Sequence, residues 1–156
     1  MKKTNGLVAA ISAAVVTLAA GAALAEAKNP DSVKIDDLKV MDSLTGKAGD
    51  AEAGKKWFAD RKLGNCLACH ANKAMASLPF HGEVGTPLDG VGERYSADQL
   101  RAIIVNSKVV FGPETIMPGF YVLKTGARTQ EKFQGKTILN GQQIEDIIAY
   151  LLTLKE

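Results

Sequence analysis

The sequence predicts an all-α fold in which a few helices are joined by long irregular loops. The clearest helix follows Asn140, because the apolar residues after it recur at intervals of three and four positions. These residues are Ile144, Ile147, Ile148, Leu151 and Leu152. A second helix is indicated after Asp50, and no stretch alternates strands with helices as an α/β fold would. Glycines and prolines are concentrated between the helices, which favours loops there.

Residues 1–25 are predicted to be a signal peptide that is cleaved. Lys2 and Lys3 form a basic start, an alanine-rich apolar run follows, and Ala23-Leu24-Ala25 supplies the small residues that a signal peptidase requires. An uncleaved anchor is the alternative, but the apolar run is short for a span of about 20 residues. Cleavage predicts a periplasmic protein without a membrane span after processing.

The charge balance of the processed chain is even. Taking Lys2 and Lys3 from the 19 basic residues leaves 17, which equals the 17 acidic residues, all of them after position 25. A net charge near zero argues against nucleic acid as a partner. It also argues against a partner that is recruited mainly by a global electric field. A chain of this length is expected to form one domain.

Residues 26–49 are expected to form an extended N-terminal arm before the main domain at 50–156. The segment is polar, and its only apolar pattern is the alternation from Val33 to Met41. The arm is interpreted as a partner-binding element. Its composition fits a disordered linker equally well.

The first helix of the main domain is predicted over Asp50 to Lys62. Asp50 can cap its amino terminus. Gly54 lies inside the helix, where glycine lowers helix stability by about 1 kcal/mol relative to alanine. The close approach of another helix best explains a glycine at this position. Gly64 is expected to end the helix.

The middle of the chain is predicted to be mostly irregular. Leu78 to Tyr95 is expected to be loop, Ser96 to cap a helix that runs to about Ser107, and Val109 to Leu139 to be irregular again. Asn140 and Gln143 have the spacing of a capping box for the last helix. Glu145 and Asp146 are expected to interact favourably with that helix's dipole.

The chemistry of the chain is indicated by Cys66-Leu67-Ala68-Cys69-His70. Two cysteines separated by two residues and followed by histidine are the attachment signature of a c-type haem. The two thiols add to the vinyl groups of one porphyrin, and the adjacent histidine then ligates the iron. One covalent haem c is therefore predicted, with Cys66 and Cys69 as thioethers and His70 as the proximal ligand.

Three other interpretations of the motif are weaker. A thioredoxin-like redox pair would need a βαβ context. A structural zinc site needs about four protein ligands, and adjacent Cys69 and His70 would be awkward partners. A plain disulfide remains open, since the chain has only 2 cysteines.

The second axial ligand of the iron is predicted to be Met117. It lies in an irregular segment long enough to reach the other haem face, and Pro118 fixes the backbone beside it. His/Met ligation is typical of cytochromes c. His81 is the alternative ligand, and a gap-filling core methionine is the alternative role for Met117. Iron with both positions filled favours electron transfer over oxygen or peroxide chemistry.

The residues described so far resemble a class I cytochrome c over roughly residues 50–154. The shared positions are Gly54 and Phe58, Ile147 and Tyr150 at the helix crossing, and Cys66 to His70 with Met117 at the haem. The resemblance implies helices packed around one haem. It also implies that the carbonyl of Pro87 accepts a hydrogen bond from the haem histidine. An ordinary turn proline is the alternative role for Pro87.

A narrower resemblance is to the SoxX family, the single-haem subunits of SoxAX cytochromes. It is carried by residues 64–70, by Thr115-Ile116-Met117-Pro118-Gly119-Phe120-Tyr121, and by residues 135–151. The resemblance implies an electron-transfer subunit of an L-cysteine S-thiosulfotransferase, with a SoxA-like haem subunit as partner. That complex couples thiosulfate to a cysteine of a SoxYZ-like carrier and passes electrons to a downstream cytochrome c.

No catalytic nucleophile or base is expected in this chain, because it contains no Ser/His/Asp or paired-carboxylate arrangement. Two other functions remain open. One is a free-standing periplasmic electron shuttle. The other is an interaction module without haem, held by a disulfide.

Overall fold

The computed structural model describes residues 26–156, so the predicted signal peptide lies outside the described residues. Four α-helices form the framework of this part of the chain: α1 (Ala51–Ala59), α2 (Val91–Arg94), α3 (Ala97–Phe111) and α4 (Gly141–Leu151). Short 3-10 turns occur at Pro30–Ser32, Cys66–Ala68, Lys73–Met75 and Glu131–Phe133. The all-α prediction is confirmed, since the described residues contain no β-strand beyond one isolated bridge.

Helices α1 and α4 cross in direct backbone contact. A Cβ atom added at Gly54 would lie 1.9 Å from the carbonyl oxygen of Asp146, so only glycine allows this approach. Next to the crossing, the rings of Phe58 and Tyr150 pack edge to face with centroids 5.6 Å apart. The prediction that Gly54 marks a helix contact is confirmed.

The predicted bounds of α1 need one correction. Asp50 caps the helix as expected, accepting hydrogen bonds from the amides of Glu52 and Ala53. The helix ends at Ala59 rather than at Lys62. Asp60 ends it, because its carbonyl accepts from the Asn65 amide and its side chain accepts from the Lys62 amide, which closes a turn.

Helix α4 begins with the predicted capping box, in which the side chains of Asn140 and Gln143 each accept from the other's amide at 2.9 Å. The dipole role expected for Glu145 and Asp146 is wrong. Both are buried and bind specific partners instead. Asp146 accepts from the Asp50 amide at 2.9 Å and from the Trp57 indole at 3.2 Å, which fixes α1 against α4.

Glu145 forms a buried ion pair with Arg101 of α3. The guanidinium meets the carboxylate through two contacts, Nε to Oε1 at 2.9 Å and Nη2 to Oε2 at 3.0 Å. Asp98 adds a third contact at 2.8 Å. Burial alone would lower the pKa of Arg101, but hydrogen bonds and charge from Glu145 and Asp98 raise it above its ordinary value.

The segment 26–49 packs on the helices. Val40 and Leu44 are buried in the core. The Leu44 amide donates to Glu145 at 2.8 Å, and Arg101 donates to the Val40 carbonyl at 2.8 Å. The ion pair between α3 and α4 therefore also holds this segment. A disordered linker, which composition left open, does not describe it.

The middle of the chain holds more helix than predicted. Helix α2 interrupts the stretch expected to be loop up to Tyr95, and a further helical segment runs to Phe111 beyond a break at Asn106, which lies close to the end predicted near Ser107. Within α3, Asn106 leaves the helical conformation with φ −152° and ψ 86°. No helix in residues 26–156 is long and apolar enough to cross a membrane.

Candidate functional site

An apolar cavity lies between α3, α4 and the loops on either side of them. It encloses about 820 Å³ of empty space including its mouth. Its apolar wall includes Phe58, Leu100, Ile104, Leu139, Ile147 and Leu151. Cys66, His70 and Met117 line the same cavity. The structure therefore brings together three of the residues that the sequence predicted to bind a haem.

The two cysteines flank a single turn at the edge of this cavity. The amides of Cys69 and His70 both donate to the carbonyl of Cys66, at 3.1 and 2.9 Å, which closes the turn. Cys66 faces the cavity, whereas Cys69 is exposed and lines only its mouth. Neither sulfur is in a disulfide. Burial raises the pKa of the Cys66 thiol to about 12, so it stays uncharged at neutral pH.

The His70 ring is fixed by a backbone carbonyl and a glycine. Its Nδ1 lies 2.8 Å from the carbonyl oxygen of Thr86. A proton on Nδ1 that is donated to this carbonyl leaves the lone pair of Nε2 free for a metal. A Cβ added at Gly85 would lie 2.4 Å from Cε1 of the ring, so the chain passes directly against the imidazole.

The role predicted for Pro87 is corrected by this geometry. The carbonyl that meets His70 belongs to Thr86, the residue before the proline, while the Pro87 carbonyl accepts from Nη2 of Arg94 at 2.8 Å. Proline disfavours the helical conformation for the residue before it. We attribute the exposure of the Thr86 carbonyl to the ring to that restriction.

Met117 is the one predicted distal candidate among the described residues that lines the cavity. Met75 is buried away from it and Met41 is 68% exposed. His81 is engaged elsewhere, with Nδ1 accepting from the Asn72 amide at 3.3 Å and Nε2 lying 3.1 Å from the Met75 carbonyl.

The two segments that carry His70 and Met117 are held by residues that were not predicted from the sequence. Thr86 meets the His70 ring, and Ser107, which is fully buried, donates from Oγ to the Met117 carbonyl at 2.6 Å. Arg94 binds the Pro87 carbonyl. The pre-proline position was a usable signal for Thr86. Ser107 gave none, because a serine inside a helical pattern looks like any other polar position.

The residues around the cavity fit a haem. The wall is apolar, as a porphyrin requires, and the site offers two unpaired thiols, an imidazole and a thioether. Imidazole and thioether are the axial donors typical of cytochromes c. Within residues 26–156, no group of three or more His, Cys, Asp or Glu side chains is arranged to hold a metal ion.

Comparisons with known proteins agree with this fit. The cytochrome c family model matches residues 51–155. A chain in the crystal structure of SoxXA from P. pantotrophus is 41% identical and superposes with a TM-score of 0.76, covering 83% of this chain and 99% of that one. No curated protein sequence matches significantly.

Proposed function

This chain belongs to the cytochrome c family and is a SoxX-like cytochrome that carries haem c, and on that basis we propose that it relays electrons in a periplasmic SoxAX-type complex. The observation that carries the proposal is the 41% identity to a SoxXA chain over nearly all of that chain. The partner in this proposal is a SoxA-like haem subunit.

The proposed haem contacts follow from the cavity. Cys66 and Cys69 would supply the thioether bonds, and His70 and Met117 would hold the iron. The haem c would supply a one-electron carrier. Because both iron-binding side chains would belong to this chain, they would keep outside molecules from the iron. No residue of this chain is proposed as a catalytic nucleophile or base.

The proposed docking surface is the mouth of the cavity. Three apolar side chains there are largely exposed: Val84 (65%), Phe111 (52%) and Ile116 (73%). Exposed apolar residues gathered around one opening are typical of a protein interface. A SoxA-like subunit docked here would bring its own redox centre near the cavity.

In the proposed reaction, a sulfur–sulfur bond forms between thiosulfate and a cysteine of a SoxYZ-like carrier. The cysteine thiol loses its proton, and two electrons leave the pair of sulfurs. The bond forms at the partner subunit, and this chain passes the electrons on, one at a time, to a downstream cytochrome c. This division of work agrees with a site that has no free coordination position.

Ligation is tested by replacing Met117 with alanine. We expect Met117→Ala to abolish the near-infrared band that reports an iron–methionine bond in the ferric protein. We also expect a fall in reduction potential on the order of 0.1 V, part of the ~0.8 V range that axial ligands span. Met75→Ala is the control, since it removes a buried methionine outside the cavity and should retain the band. If Met117→Ala keeps the band, the ligand assignment is wrong.

Partner binding is tested by co-expression with a SoxA-like subunit and co-purification from the periplasm. Val84→Asp should weaken the complex while the near-infrared band is unchanged. Leu78→Asp places the same charge at an exposed apolar side chain outside both the mouth and residues 26–49, and should leave the complex intact. A chain that purifies alone and reduces a downstream cytochrome without the partner would favour the free-standing shuttle.

Deleting residues 26–49 would not distinguish a SoxAX-type subunit from a free-standing electron shuttle. The segment supplies Val40 and Leu44 to the core and binds the Arg101–Glu145 pair. Its loss would therefore destabilise the fold in either case. Substitutions at the mouth avoid this problem, because Val84 is exposed.

A further inference from the structure

The interruption of α3 at Asn106 lies against the loop that carries Met117. In a continuous helix the Lys108 amide would donate to the carbonyl of Ile104. Here the Lys108 amide donates to Oδ1 of Asn106 at 3.2 Å, so the asparagine side chain restarts the helix after the break. The carbonyls of the turn before the break become available to other partners.

The loop after Met117 uses those carbonyls. The Phe120 amide donates to Ile104 at 3.0 Å, and the Tyr121 amide donates to Val105 at 3.2 Å. Gly119 permits the approach, since a Cβ there would lie 3.1 Å from the Val105 carbonyl oxygen. The loop is thus hydrogen-bonded to the helix through carbonyl groups that would accept intrahelical hydrogen bonds in a regular helix.

Two further contacts hold the chain at and before Met117. Ser107 has no exposed surface, and its hydroxyl donates to the Met117 carbonyl at 2.6 Å. The Lys108 ammonium group donates to the Thr115 carbonyl. Residues 115, 117, 120 and 121 are therefore all bound to the short stretch of α3 around the break.

We propose that Ser107 and the Asn106 break are positioning elements that keep the Met117 thioether in the cavity. The inference rests on the proposed role of Met117 as the distal ligand. Only the backbone of Met117 is held by these contacts, so they act by limiting how far the loop can swing away. The α3 break then contributes to how readily the thioether is displaced.

The test is cyanide binding to the ferric holoprotein, because cyanide must displace the distal ligand. When the loop swings out, the Ser107–Met117 hydrogen bond breaks, and its free energy opposes displacement. Ser107→Ala removes that opposition. We expect cyanide affinity to rise about fivefold, which equals about 1 kcal/mol at 1.4 kcal/mol per tenfold change. The near-infrared band should also be lost at a lower temperature than in the wild type.

Thr45→Ala is the matched control for general destabilisation. Thr45 is also a buried hydroxyl residue, whose Oγ1 donates to Oε1 of Gln142 at 2.9 Å and accepts from the Lys47 amide at 3.2 Å, but it does not line the cavity. It should lower the free energy of unfolding without changing cyanide affinity. Asn106→Ala, at a half-buried site, is the second variant. It lets the helix run through and should raise cyanide affinity in the same direction.

The outcomes distinguish a failure of the Met117 ligand assignment from a failure of the positioning role of Ser107 and Asn106. If Met117→Ala keeps the near-infrared band, the ligand assignment itself fails. If Met117→Ala loses the band but Ser107→Ala and Asn106→Ala bind cyanide like the wild type, the positioning inference is overturned while the ligand stands. Equal increases in Ser107→Ala and Thr45→Ala would also overturn it. A rise in both α3 variants, without one in Thr45→Ala, supports it.

Discussion

The two sides of the cavity are held in different ways. On the His70 side the chain packs against the ring itself, and Cβ atoms added at Gly82 and Gly85 would lie 2.0 Å from a backbone oxygen and 2.4 Å from the imidazole. On the Met117 side the packing is uneven, since Cβ atoms at Gly112 and Gly126 would meet nothing within 4 Å, whereas one at Gly119 would lie 3.1 Å from the Val105 carbonyl oxygen. The His70 ring is fixed by a hydrogen bond and by packing, whereas the Ser107 hydrogen bond on the distal side reaches the backbone of Met117.

This difference separates the stability of the fold from the retention of the distal ligand. A change on the proximal side disturbs packed atoms and is expected to cost stability. A change on the distal side, where part of the chain borders open space, is expected to alter retention of the ligand more than stability. Both sides are supported by α1, α3 and α4, which the buried Arg101–Glu145 pair and the Gly54 crossing hold together.

The largest effect is expected from breaking that shared support. Arg101→Met leaves Glu145 buried without its cation, which costs about 3–5 kcal/mol of unfolding free energy. Denaturant unfolding is followed by Trp57 fluorescence and by the near-infrared band. The two transitions should shift together, because both sides rest on the same helices. Separate shifts would mean that the two sides do not share one cooperative unit.

The control for this prediction is Lys28→Met. Lys28 pairs with Asp42 at 2.9 Å, but the carboxylate of that pair is 82% exposed. Solvent-exposed ion pairs contribute little to stability, so we expect a much smaller loss of unfolding free energy than for Arg101→Met. A loss as large as that of Arg101→Met would show that burial does not govern the cost of losing the cation.

The second prediction tests the packing difference with one substitution on each side. Gly85→Ala forces a methyl group against the His70 ring, which the Thr86 carbonyl and the proposed iron bond keep from moving. We expect a loss of about 1–3 kcal/mol, the usual cost of overpacking. Gly126→Ala adds the same methyl group to open space and should change stability by less than ~0.5 kcal/mol. Equal effects would remove the distinction between a tight and an open side.

The same difference explains which parts of the site could be predicted from the sequence. The proximal ligand is specified by five consecutive residues, and the chemistry of thioether attachment fixes their spacing. Met117 could be proposed because few methionines and histidines remain after position 25. The helix contact at Gly54 and the helix α4 could also be predicted, because helix periodicity and capping are local properties.

What could not be predicted depends on contacts between distant segments. The partner of Glu145 is Arg101, 44 residues away, and no local pattern indicates that pair. The segment 26–49 is attached through the buried Val40 and Leu44 and through contacts with the same pair, all of them between distant positions, so its polar composition alone suggested an arm or a linker. The hydrogen bond from Ser107 to Met117 joins a helix to the loop that follows it across 10 residues, beside the break in α3, so no local pattern indicates it.

A smaller effect is expected where the proximal loop is supported indirectly. Arg94→Lys keeps the charge but loses the fork that binds the carbonyls of Pro87 and Asp89. The neighbouring Thr86 carbonyl should then hold His70 less firmly, which lowers ligand basicity. We expect the reduction potential to rise by about 20 mV, the one-electron equivalent of about 0.5 kcal/mol. Arg61→Lys, an exposed arginine outside the cavity, should leave the potential unchanged.

The smallest expected effects concern two buried tyrosines, one near each side. Tyr150 accepts a hydrogen bond from Asn72 in the proximal loop at 2.9 Å, and Tyr121, beside the distal loop, donates to the Lys28 carbonyl at 2.6 Å. Burial raises the pKa of both phenols, and the Asn72 bond partly offsets this for Tyr150. Each phenol thus stays protonated in the folded protein at a pH where the unfolded chain has ionised.

The contribution of each tyrosine is therefore full below about pH 10, the unfolded pKa, and is lost as pH rises through the raised folded value. Tyr121→Phe and Tyr150→Phe should each flatten the alkaline fall in unfolding free energy, by at most about 1.4 kcal/mol per pH unit for one proton. Tyr121→Phe should flatten it more, because an ionised Tyr121 can no longer donate to its carbonyl, whereas an ionised Tyr150 still accepts from Asn72. Urea unfolding measured from pH 8 to 11 tests this order. If Tyr150→Phe flattens the fall more than Tyr121→Phe, the proximal side, despite its tighter packing, is the one that loses more stability at alkaline pH.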